Sequence, residues 1–221
     1  MMQTMFVGWR KKCLVLVTVL AAKGAAALTC ATSPAVPDWD MVYHSDTLRL
    51  YEPAHLTGPP ELIASVQWRT LPEPLYRIIW NYAQFQQNIP GVRKSEVLLT
   101  ENGHKWVYQQ LELPGPLKDR HYILESSNTD SLPEQHHYQV KWKLSQRFPL
   151  PDDNLVSPSA FSGCWNIQAA GKDGLIAQYR IQLDPAGNVP RWIAQRGMRR
   201  YVKQLVEQLH HQLLAPEDRK P

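Results

Sequence analysis

Cysteine is scarce, three in 221 residues, too few for a disulfide-knit scaffold, and no two of them form a paired-Cys zinc motif. Glycine (11) and proline (18) are neither dense nor periodic enough for collagen or a low-complexity linker. No apolar stretch reaches the roughly 20 residues that cross a bilayer as a helix. No segment repeats at solenoid or propeller spacing. Also missing are a Gly-x-Ser-x-Gly elbow, a His-Glu-x-x-His pair, a phosphate-cradling loop and a dinucleotide fingerprint. His136-His137 and His210-His211 are adjacent pairs whose rings diverge on a strand or a helix, so neither reads as a metal site. What remains is a globular mixture, 43% apolar and 20% charged, long enough for one domain with a substantial core.

The N-terminus reads as a targeting segment. Arg10, Lys11 and Lys12 form a basic start, Cys13–Ala22 is a run of ten mostly apolar residues, and Ala25-Ala26-Ala27 suits cleavage. Residues 1–27 are therefore expected to be a secretory signal peptide, the alternative being an uncleaved anchor. They hold four of the 24 basic side chains and none of the 20 acidic ones, so cleavage leaves 20 against 20. That balance offers no global pull on nucleic acid, and no nucleic-acid partner is expected. Export predicts a secreted, periplasmic protein. Cys30 then has two fates: lipid modification as in bacterial lipoproteins, for which Ala27-Leu28-Thr29 is a poor signal, or a disulfide with Cys164 in an oxidising compartment.

Along the rest of the chain, residues 28–38 read as an extended lead-in, 39–215 as the folded domain and 216–221 as a charged, mobile tail. Periodicity predicts a strand within 39–52 and a second over 61–71, where Leu62, Ala64, Val66 and Trp68 alternate with polar or smaller neighbours. A helix is expected from Pro72 to about Gln87, its apolar face Leu75, Ile78, Ile79, Tyr82 and Phe85. Strands over 92–100 and 105–113 flank Asn102-Gly103, a hairpin turn. Further strands are expected over 120–127, 137–146, from about Phe161 to Ala169, and over 175–183. The 137–146 segment alternates cleanly, as an antiparallel strand with one wet face does. A long helix is read over 189–214, with Asn188 as N-cap and an apolar stripe through Trp192, Ile193, Tyr201, Val202, Leu205, Val206, Leu209 and Leu213. The architecture is α+β: a curved antiparallel sheet around a long C-terminal helix.

Three stretches resemble the START-like (StAR-related lipid transfer) helix-grip superfamily, especially its secreted bacterial members. They are Pro114-Gly-Pro-Leu-Lys-Asp-Arg-His-Tyr122, Gly163-Cys-Trp165, and the strand-to-helix junction Tyr179-Arg-Ile-Gln-Leu-Asp-Pro-Ala-Gly-Asn-Val-Pro-Arg-Trp192. Ile89-Pro-Gly-Val-Arg-Lys-Ser-Glu-Val97 resembles the helix-to-strand crossing of the polyketide-cyclase and coenzyme-Q-binding branch. The chain departs from the pattern at His121, where an acid is usual, and at Ala186, where Gly is common. The resemblance implies an internal apolar cavity for a lipid, sterol, quinone or similar molecule, with no cofactor. It leaves open binding and transport on one side and cyclase- or hydrolase-type catalysis on the other.

Candidate ligand-binding residues are Tyr108, Arg120, Trp142, Trp165, Tyr179 and Trp192. The aromatic ones suit pocket walls and equally suit plain core packing. Arg120 could grip an anionic head group or pair with a carboxylate such as Glu112 or Glu125. Catalysis would need a titratable group inside the cavity, for which His121, Tyr108 and Arg120 are the candidates; no catalytic residue is assigned. The stripe Arg196, Arg199, Arg200 and Lys203 reads either as a transient membrane contact or as a solvated helix face. The Pro-broken segment 149–153 is the expected gate.

Overall fold

The computed structural model describes residues 30, 38–55, 58–113, 117–151 and 154–214. The signal peptide read over 1–27, the tail 216–221 and nearly all of the lead-in lie outside them. Nine strands form one sheet: β1 (Trp39–His44), β2 (Leu48–Pro53), β3 (Glu61–Trp68), β4 (Val92–Glu101), β5 (His104–Leu111), β6 (Arg120–Ser127), β7 (His137–Leu144), β8 (Ala160–Ala169) and β9 (Leu175–Asp184). Their order is β1-β2-β3-β9-β8-β7-β6-β5-β4, antiparallel throughout. Two helices, α1 (Pro72–Trp80) and the short α2 (Phe85–Asn88), cross between β3 and β4, and α3 (Arg191–Leu214) closes the chain.

Side chains directly opposite one another share a sheet face. Ala64, Tyr179, Trp165 and Val140 form one such row across four strands, and Val66, Ala177, Ile167 and Tyr138 form the next. These are the apolar members of each alternating strand, so the period of two places them together. Leu75 and Ile79 of α1 and Met198, Val202, Leu205, Val206 and Leu209 of α3 join the same buried cluster. The opposite face has a satellite cluster, Trp106, Tyr108 and Ile123, capped by Phe148 and Leu150.

Several details differ from the sequence reading. The 39–52 segment is two strands, because the Ser45 amide donates to the Leu48 carbonyl (2.8 Å) and turns the chain. The helix expected through Gln87 breaks at Asn81 (φ −92°, ψ 70°) into a 3₁₀ turn, Tyr82–Gln84, followed by α2. The break lets the Tyr82 hydroxyl donate to Ser126 Oγ on β6 at 2.7 Å. Asn188 does not cap α3: it sits at φ +57°. The helix starts at Arg191, and the Pro190 carbonyl accepts its first bonds, from Ile193 and Ala194. The buried stripe of α3 also starts later than expected, at Gln195 and Met198, leaving Trp192 67% exposed.

Cys30 and Cys164 are joined in a disulfide with Cα atoms 6.0 Å apart. Cys164 lies opposite Lys141 and Arg180 on the outer face of the sheet, so the bridge pins Cys30 there.

Candidate ligand-binding site

Between the sheet and α3 lie two adjoining chambers. The inner one, about 60 Å³, is walled by Ile79, Tyr82, Phe85, Ile89, Val92, Gln109, Tyr122, Leu124, Trp142, Phe161, Trp165, Tyr179, Tyr201, Leu205 and Leu209. Residues from β4 round to β9 face one another here, which requires the sheet to curl. The outer chamber, about 620 Å³, is lined by the N-terminal half of α3 from Trp192 to Gln204, the ends of β5, β8 and β9, Pro90-Gly91, Leu117 and the Pro185–Val189 turn. Tyr122, Phe161 and Tyr201 belong to both walls and form the neck between them. Tyr122 and Phe161 meet edge to face at 4.9 Å.

The neighbouring strands stack their rings inside. Tyr179 packs on Trp165 (4.5 Å) and on Trp142 (5.6 Å). Gly163 permits this: a methyl there would lie 2.8 Å from Trp142 Cε2 and 2.5 Å from the Arg180 carbonyl oxygen. Burial pushes the hydroxyls of Tyr82, Tyr122, Tyr179 and Tyr201 well above the ordinary tyrosine range; for Tyr82 the bond to Ser126 offsets part of that push.

Of the six residues read from sequence, Trp142, Trp165 and Tyr179 stand together in the inner wall and Trp192 stands at the outer mouth. Tyr108 is on the other face of the sheet, one residue out of phase with the wall residue Gln109. There its hydroxyl accepts from Gln110 Nε2 at 2.7 Å and its ring meets His121 edge-on at 6.2 Å. Arg120 lines neither chamber. It is 3% exposed and donates to the carbonyls of Lys118, Pro185 (2.6 Å) and Ala186 (3.2 Å), with no carboxylate pair among the described residues. Its guanidinium ties the β9–α3 turn to the start of β6, and burial lowers its pKa more than neighbouring Asp119 raises it. Of the 149–153 segment read as a gate, Leu150 packs on the outer-face cluster, and residues 152–153 lie outside the described ones.

The arginine stripe divides. Arg199 holds Glu52 through two hydrogen bonds and Lys203 stands 3.3 Å from the Tyr43 ring centroid. Arg196 and Arg200 border the outer chamber. The wall residues missed from sequence are chiefly Tyr82, Gln109, Tyr122 and Tyr201. Tyr82 and Tyr201 carried the signal, since both fall on apolar helix faces; Gln109 carried none, being a polar residue at an inward position.

A family model described as polyketide cyclase/dehydrase and lipid transport matches residues 71–210. The chain belongs to that family. Solved START-type structures share the fold of this family member. Human STARD10 superposes with a TM-score of 0.72 at 19% identity, covering 82% of this chain and 75% of that one. A STAR-related lipid transfer protein from Xanthomonas axonopodis gives 0.71 at 17%, covering 80% and 99%. The Zhui aromatase/cyclase from Streptomyces sp. R1128 gives 0.51 at 13%, covering 70% and 93%. No curated protein sequence matches the chain significantly. The helix-grip fold of the family fits binding or transfer of a hydrophobic ligand.

Proposed function

We propose that this protein binds one hydrophobic small molecule, of lipid, sterol or quinone class, in the two-chambered hollow and carries it through water. The observation that carries the reading is the outer chamber: about 620 Å³, within the usual range for small-molecule sites, with mostly apolar walls under a long amphipathic helix. Each Å² of apolar ligand surface removed from water contributes about 25 cal/mol, before the costs of association. Catalysis is the weaker reading, because His121, Tyr108 and Arg120 all lie off the chamber walls.

Trp192 and Ile193 are exposed at the mouth beside Arg196 and Arg200. Aromatic and cationic side chains together suit an anionic membrane surface, each cation contributing about 1 kcal/mol there. The proposal therefore includes brief docking of the mouth on such a membrane. It also places the protein outside the cytosol, in the periplasm if the source is bacterial, and the Cys30–Cys164 disulfide supports that placement. A Cys30 sulfur engaged in a disulfide is not free for lipid attachment.

Mass spectrometry of the protein purified from its own host tests the reading. One extractable apolar molecule per chain is expected. Absence of such a molecule, together with failure to bind oleate, cholesterol or a short-chain ubiquinone, overturns it. Docking is tested by flotation with phosphatidylglycerol and phosphatidylcholine vesicles. The anionic vesicles should retain the protein, and the double variant Arg196→Glu, Arg200→Glu should lose that retention; equal retention by both lipids removes the membrane step.

A further inference from the structure

Four tyrosines reach the inner chamber from four different elements: Tyr82 from the turn after α1, Tyr122 from β6, Tyr179 from β9 and Tyr201 from α3. Tyr82 is committed, donating to Ser126 Oγ, which itself donates to the Lys141 carbonyl. The other three hydroxyls have no hydrogen-bond partner among the described residues. Trp142 Nε1, in the same wall, is fully buried without a partner among the described residues. Gln109 adds a carboxamide, tied at its amino end to Ser95 Oγ at 3.2 Å. No Asp, Glu, Lys, Arg or His is among the described residues of this wall.

Trp142 Nε1 is a buried donor left unpaired, which costs about 1–3 kcal/mol, and three unpartnered hydroxyls beside it in one small hollow mark a place that rewards an incoming acceptor. An ionised group would arrive with no countercharge and lose its hydration. A purely hydrocarbon end would leave every donor unmet. The chamber's about 60 Å³ admits the tip of a molecule, while the outer chamber holds the rest.

We infer that the inner chamber is a subsite for a neutral oxygen-bearing end group, a hydroxyl or carbonyl on an otherwise apolar ligand, held by Tyr122, Tyr179 and Tyr201. The inference rests on the binding reading and names the ligand chemistry and its orientation: neutral oxygen inward, any charged group at the mouth.

The test uses the full chain after removal of residues 1–27 and displacement of the neutral fluorophore N-phenyl-1-naphthylamine by dodecanol, dodecane and laurate. Tyr122→Phe, Tyr179→Phe and Tyr201→Phe each remove one oxygen. At least two of them should weaken dodecanol by about 3- to 10-fold, the worth of a neutral hydrogen bond, and leave dodecane and laurate within 2-fold. In the unaltered protein, dodecanol and not dodecane should shift the near-ultraviolet tyrosine difference spectrum, a readout that survives if a variant does not fold. Dodecanol affinity unchanged in all three variants, equal losses for dodecane, or no spectral shift overturns the inference while the binding reading stands. Failure of the fluorophore and of all three competitors to bind overturns both.

Discussion

At single residues, the hollow depends on one missing side chain and several buried hydroxyls. Trp142 lies across Gly163, and the backbone carbonyl of Arg180 closes the other side. Gly163→Ala must displace a ring or a strand, so a loss of about 3 kcal/mol in urea unfolding is expected, with weaker binding of a neutral fluorophore. Ala186 presents the opposite case. It holds φ +57° between Pro185 and Gly187, where a Cβ costs roughly 1–2 kcal/mol. Ala186→Gly should raise stability by about 1 kcal/mol, and an unchanged melting temperature would refute that strain. The tyrosines give a pH prediction. Their pKa values are raised in the folded state relative to the ordinary value of 10.0, so folding holds their protons more tightly. Their contribution is complete below pH 10 and is lost as pH rises beyond it, because the unfolded chain then releases protons that the folded chain keeps. Absorbance at 295 nm should show Tyr82, Tyr122, Tyr179 and Tyr201 ionising only together with alkaline unfolding. Their titration at pH 10 in the folded state would refute burial of the cluster.

Among the elements, α3 is the helical wall of the hollow, and an ion pair fastens it to the β1–β2 hairpin. Glu52 is 5% exposed and both its oxygens accept from Arg199. Arg199→Gln leaves a buried carboxylate without its cation. Because the arginine itself is partly solvated, about 1–2 kcal/mol is the expected loss. Arg196→Gln, at the mouth, should stay within about 0.5 kcal/mol. Equal urea midpoints for the two variants would show that the pair does not hold the helix. How legible each element was in the sequence depends on whether its cause is local. Asn102 and Gly103, at φ +49° and +75°, announced the β4–β5 hairpin, and the period of two announced β3, β7, β8 and β9 with the right residues inward. The break at Asn81 was not legible, since the contact it makes possible, from Tyr82 to Ser126, reaches 44 residues along the chain. The wall was half legible for the same reason. Trp142, Trp165 and Tyr179 follow from alternation within their strands. Tyr108 was misplaced because β5 gives no local sign of which parity turns inward; only the register with β6, which puts Gln109 opposite Tyr122, settles it. Arg120 was misread because its partners are backbone carbonyls, two of them in a turn 65 and 66 residues away, and carbonyls leave no mark in composition.

For the whole molecule, the disulfide joins the segment before the first strand to the centre of the sheet. Cys30 and Cys164 are 134 residues apart in sequence, so the bridge spans every element from β1 into β8. If residues 1–27 are removed, as proposed, Cys13 leaves with them and no free thiol remains in the exported chain. Closing a loop of this length lowers the entropy of the unfolded chain, and losing such a bridge costs typically 2–5 kcal/mol. Cys30→Ser is the cleaner variant, because Cys164 is buried in the sheet and a polar substitution there costs packing of its own. A loss of about 3 kcal/mol is expected, which for a domain of this size lowers the melting temperature by roughly 6–12 °C, and dithiothreitol should match it in the unaltered protein and change nothing in Cys30→Ser. Two reactive thiols in the non-reduced native protein, or melting indifferent to dithiothreitol, would show that the bridge does not form. The same bond ties stability to compartment: a chain folding in a reducing cytosol would forgo this contribution. A protein kept there should therefore unfold at lower urea than the same chain exported, and reoxidation in vitro should restore the difference.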